Sequence, residues 1–73
     1  MPVFKRTTKN LILKIDEFFD TVDLGLLVFR EAVKNYLEKD MEAFERHVQK
    51  IESLESNADR LQRSIENEMI TQS

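Results

Sequence analysis

An all-α fold, two long antiparallel amphipathic helices joined as a hairpin, is what three observations on this sequence predict. Apolar residues recur every three or four positions along two long stretches. One glycine and one proline among 73 residues leave little material for turns. Charged residues make up 34% of the chain and mix with Leu and Ala, the composition of long helices.

The first element is expected over about 10–37. Leu11, Ile15, Phe18, Val22, Gly25, Phe29, Ala32 and Tyr36 step by fours and threes, and Ile12, Phe19, Leu26, Val33 and Leu37 run beside them. Together they form an apolar face wider than the seam of a two-stranded coiled coil, so this helix is built to meet more than one neighbour. Thr7, Thr8 or Asn10 supplies a cap at its start. Gly25 stands in mid-helix, where glycine costs about 1 kcal/mol relative to alanine. Close approach of another helix and a local bend are the two explanations for it.

Residues 38–40 form the turn, with Asp40 the cap of the next helix and Glu42 complementing its dipole. A connection this short makes the helices antiparallel neighbours. The second helix is expected over about 41–69. Phe44, Ile51, Ala58 and Ile65 repeat every seven residues, with Leu54 and Leu61 in the complementary position and Val48 alongside. Residues 1–9 read as a basic N-terminal segment, residues 10–70 as the hairpin and residues 71–73 as a polar end. A hairpin this small leaves apolar surface in water, so partners are expected, either further helices of a longer parent chain or a second copy.

Several function classes drop out on composition. With no cysteine there is neither a disulfide framework nor thiolate chemistry. His47 is the single histidine and falls at the edge of the second seam, where a half-buried, hydrogen-bonded structural role is expected. No phosphate-binding loop or dinucleotide fingerprint is present, and an enzyme is not expected. The longest unbroken apolar run, Leu26 to Phe29, is far short of the roughly 20 residues a membrane span needs. Net charge is −3, but Lys5, Arg6, Lys9 and Lys14 precede every acid in the chain. That basic end is too short, and too bare of any reading motif, for nucleic acid. A soluble, cytoplasmic protein is expected.

Two acidic clusters remain. Asp16, Asp20 and Asp23 share a face of the first helix; Glu52, Glu55, Asp59 and Glu66 share one on the second. Such rows are solvated faces or, where helices converge, oxygen-rich metal sites. Glu55 borders the seam of Leu54, Ala58 and Leu61, and Asp59 follows one turn on.

The second helix, reading Ile51-Glu-Ser-Leu-Glu-Ser-Asn-Ala-Asp-Arg-Leu61 and then Ile65-Glu66, resembles the Glu-x-x-x-Asp helix of the PhoU-like family. The likeness is to its PhoU-divergent branch of Pit accessory proteins. Ile15-Asp-Glu-Phe-Phe-Asp20, Val22, Gly25, Val28-Phe29 and Tyr36-Leu37 are similar to that branch's opening helix, and Asp40 and Phe44 fit its turn. The resemblance covers most of residues 10–68. It implies a regulatory or accessory protein of phosphate transport that binds partners, a phosphate transporter among them, and is held to the membrane only through that transporter. It further implies iron or zinc at Glu55 and Asp59; Glu52, which the resemblance does not assign, is only a neighbour on the same face. Members of the family are much longer six-helix proteins, so the expectation is either a fragment or a shortened, self-associating form. The alternative is a structural dimeric hairpin or coiled-coil adaptor with no metal or phosphate role.

Overall fold

The computed structural model describes residues 2–72 of the backbone and residues 8–71 with their side chains. Two helices account for nearly all of it, α1 (Pro2–Leu37) and α2 (Met41–Gln72), packed antiparallel into a rod of 57 × 14 × 13 Å. The chain is a helical hairpin, as the periodicity predicts. Its bounds are wider than expected. α1 runs through Thr8 and Asn10 and starts at Pro2, the residue type best suited to a first helical position, where its missing N–H is no loss. The caps expected at Thr8 and Asn10 are therefore ordinary helix interior, and Thr7 lies outside the described side chains. α2 continues past Met69 to Gln72 because no glycine or proline stops it.

The turn is a Schellman-type stop followed at once by an N-cap. Lys39 takes a left-handed conformation with φ 61°. The Lys39 N–H donates to the Tyr36 carbonyl at 3.1 Å and the Asp40 N–H to the Asn35 carbonyl at 2.9 Å, which satisfies two of the last carbonyls of α1. Asp40 then caps α2: its Oδ1 accepts from the Ala43 N–H at 3.2 Å, and its carbonyl accepts from the Phe44 N–H at 3.0 Å. Tyr36 leans on Phe44 across the turn, with ring centroids 5.7 Å apart.

The seam between the helices is the main surprise. On α2 it is the expected one, with Phe44, Ile51, Leu54 and Ala58 half-buried and Leu61 and Ile65 buried. On α1 the residues turned to α2 are Leu11, Lys14, Phe18, Thr21, Gly25, Val28, Ala32 and Asn35, a regular heptad in which every second member is polar or Val28. Val22, Phe29 and Tyr36, expected in the contact, are exposed. So α1 presents its less apolar side to α2 and leaves the more apolar side open.

Polar pairs at both ends of the rod explain this choice. Lys14 Nζ donates to Ser64 Oγ at 2.8 Å and forms an ion pair with Glu68 Oε1. At the turn end, His47 Nδ1–H donates to Asn35 Oδ1 at 2.6 Å, the structural role expected of this histidine. Stepping inward from both pairs by heptads sets Thr21 opposite Leu61 and Val28 opposite Leu54, so the two polar layers share one register. Thr21 is buried, and its hydroxyl donates to the Glu17 carbonyl at 2.8 Å, so its burial leaves no orphaned group. Among the described residues, only Ala32, Ala43, Leu61 and Ile65 form a buried apolar core.

Candidate functional site

Rotating about 100° from the seam on each helix reaches a single face of the hairpin, and its two halves differ in kind. On α1 the row is Ile12, Ile15, Phe19, Val22, Leu26, Phe29, Val33 and Tyr36, spaced alternately by three and four and apolar at every step. Seven of them, all but the half-buried Ile15, are between 38% and 62% exposed. On α2 the row alongside is Glu45, Val48, Glu52, Glu55, Asp59, Gln62, Glu66 and Met69, at the same spacing. It holds five carboxylates and no cation, and all five are exposed.

The floor between the rows is shallow where the seam residues are small. One recess of about 310 Å³ is lined by Val22, Gly25, Leu26, Phe29, Ile51 and Ala58, with Glu55 on its rim. A second of about 280 Å³ lies toward the open end, between Ile15, Phe18 and Phe19 on one wall and Gln62, Ile65 and Met69 on the other. Apart from its own stretch of helix backbone, no atom lies within 4 Å of a β-carbon built on Gly25. Of the two explanations for this glycine, close approach by α2 is therefore removed within the hairpin; the residue opens space instead. The opposite face has no such division: there α2 carries Arg46, Lys50 and Arg60, with Arg60 hydrogen-bonded to Asn57 Oδ1.

Glu55 and Asp59 share this face one turn apart, and both are exposed. Asp59 Oδ2 pairs with Arg63 Nη2 at 3.0 Å in an i,i+4 contact open to solvent, which contributes little to stability. Glu52 is exposed one turn before, and Asp16, Asp20 and Asp23 lie exposed on α1. Among the described residues, no three His, Cys, Asp or Glu side chains converge as a metal site would require. The carboxylates of α2 alone thus supply an incomplete shell for iron or zinc. The side chains of Lys5 and Arg6 lie outside the described residues; Lys9 is exposed and Lys14 is committed to the seam.

The residues that apolar periodicity missed are Lys14, Asn35, Ser64 and Glu68. A signal for them existed: Lys14 and Glu68, like Asn35 and His47, fall on complementary seam positions at matching distances from the turn. One feature of this layer has no partner. Glu68 Oε2 is buried without a hydrogen bond.

Among the described residues no helix is long and apolar enough to cross a membrane. The chain matches no family model, no curated protein and no solved structure.

Proposed function

We propose that the chain is a helical interaction module: a two-helix platform whose α1 row packs against helices supplied by another chain or another segment. The observation that supports this most is the unbroken apolar row from Ile12 to Tyr36, left in water beside a seam that takes Lys14, Thr21 and Asn35 from α1 instead. A helix with apolar surface on more than one flank packs against more than one neighbour. Leu13, Leu24 and Leu27 extend exposed apolar surface to the other flank of α1, whereas the exposed large apolar residues of α2 are Met41, Met69 and Ile70. α1 is thus the inner helix of an assembly and α2 the outer one.

The setting we propose, from the resemblance of residues 10–68 to PhoU-like proteins, is regulation of phosphate transport, with binding in place of turnover and a phosphate transporter as the end partner. On the same reading Glu55 and Asp59 contribute to an iron or zinc site that donors from another helix complete; Glu52 is a neighbour that the resemblance does not assign. The test is uptake of labelled orthophosphate by cells in which Leu26→Asp and Phe29→Asp replace the natural residues. Reduced or deregulated uptake is expected; uptake unchanged by these substitutions and by deletion of the gene refutes the phosphate reading. A second reading, a self-pairing structural hairpin, draws on the heptad spacing of the same row, which suits an antiparallel copy of itself.

A further inference from the structure

The groove has two walls, and they make different demands on whatever lies in it. An occupant must offer an apolar stripe to α1 over the length from Ile12 to Tyr36, about 36 Å of helix. It must also set something against Glu52, Glu55 and Glu66 along the other wall, where the single cation at hand, Arg63, is paired with Asp59. A polar but uncharged edge there would bring carboxylates toward a drier boundary with no countercharge, an arrangement that costs affinity.

We propose that this face seats an amphipathic helix of a partner protein, apolar along one stripe and carrying lysines or arginines along the edge that meets α2. The inference rests on the interaction-module reading and supplies the partner's chemistry. The mode is a helix laid in a groove and anchored at positions three and four apart. The recess at Gly25 and Ala58 accepts one large apolar side chain from it, which gives the glycine a use the hairpin alone does not. Burying the α1 row against such a helix removes on the order of 1,000 Å² from water, the size at which an interface becomes specific.

A second copy of this chain fits less well. Its own apolar row is edged on the outer side by Asp16, Asp20, Asp23, Arg30 and Lys34, three acids to two bases, and among the described residues none of the five is ion-paired. Docking that row into the groove brings a net negative edge toward a row of carboxylates. Of the cations of α2, Arg46, Lys50 and Arg60 sit on the opposite face, and Arg63 meets this row only at Asp59, so Glu52, Glu55 and Glu66 keep their charge.

Two fluorescent helical peptides of about 25 residues test this, sharing one Leu/Ile stripe but edged with Lys and Arg in one and Glu in the other. Binding of each to the full chain is measured by anisotropy at low and high salt, with sedimentation of the chain alone. The basic-edged peptide is expected to bind about tenfold or more tightly than the acidic one, a preference that salt weakens. Replacing Glu52, Asp59 and Glu66 by Lys, all exposed and outside the seam, should reverse the preference without loss of helical signal. Equal affinity for both peptides overturns the charge complementarity while leaving the interaction module standing. Binding of neither by a monomeric chain overturns both. A tight dimer of the unmodified chain that Leu26→Asp dissolves assigns the face to a second copy and also overturns the proposal.

Discussion

Gly25→Ala isolates the question of what surrounds the middle of α1. In a helix interior this exchange removes backbone freedom from the unfolded chain and favours the helix by about 0.8–1.0 kcal/mol. The added methyl enters the recess beside Ile51 and Ala58, where nothing beyond its own stretch of helix backbone lies within 4 Å of it. Gly25 is half-buried, so the methyl removes only part of one CH₃ from water and adds about 0.3 kcal/mol. The sum, about 1 kcal/mol, corresponds to a rise in Tm of about 4–8 °C for a domain of this size. Thermal unfolding followed by far-UV circular dichroism, over a wide range of protein concentration, measures it. A Tm unchanged or lowered at every concentration refutes the reasoning, because it requires a neighbour where the hairpin has none. Stabilisation when dilute but loss of stability when concentrated would place a second chain against Gly25.

Other substitutions probe other joints. Lys39→Gly relieves a left-handed lysine at the helix stop and should raise stability by about 0.5–1 kcal/mol in denaturant titration. Asp40→Ala removes the acceptor for the Ala43 N–H and should lower it by about 1 kcal/mol in the same assay, with Asp40→Asn close to the parent. Lys14→Met alone leaves the Glu68 carboxylate, whose Oε2 is already buried without a partner, without its countercharge, for a loss of about 1–2 kcal/mol. The double change Lys14→Met with Glu68→Met should return to within about 1 kcal/mol of the parent, as a double-mutant cycle would show. Glu55→Ala with Asp59→Ala should abolish bound iron or zinc by elemental analysis if the metal reading holds, while shifting stability by no more than about 0.5 kcal/mol, since both side chains are exposed.

The hairpin, its turn and the α2 seam were legible because each rests on local signals. Asp40 and Glu42 mark a helix start, and the heptad from Phe44 to Ile65 has no competing stripe on its own helix. α1 was different. It carries two apolar stripes side by side, and hydrophobicity ranks the wrong one first: Val22, Phe29 and Tyr36 are more apolar than Thr21, Asn35 and Lys14, yet the latter three face α2. What decides between the stripes is pairing across the chain, Lys14 to Glu68 and Asn35 to His47, and a periodicity taken one helix at a time contains no pairs. The carboxylates at Glu55 and Asp59 were placed correctly on one face. Their relation to the apolar row of α1 was not legible, because it depends on which stripe the seam consumes.

The polar layers also say what kind of object the hairpin is. A lysine–glutamate layer at one end and an asparagine–histidine layer at the other add little net stability, because desolvation opposes most of the attraction. Any slip of α1 along α2, however, would leave Lys14, Glu68, Asn35 and His47 facing apolar neighbours, so the layers fix register. Between them the seam is thin, with Gly25, Ala32 and Ala58 where larger side chains would bury more surface. Burial at about 25 cal/mol per Å² must match an ordering cost of about 1–2 kcal/mol per residue, and a core of Ala32, Ala43, Leu61 and Ile65 is a weak counterweight over two helices of 36 and 32 residues. Register is thus set inside the hairpin, while the larger apolar area, the row from Ile12 to Tyr36, is kept for the partner. Folding and binding are then coupled: a helix that buries this row supplies the hydrophobic stabilisation that the seam lacks, and helical content should rise with partner concentration instead of being complete without it.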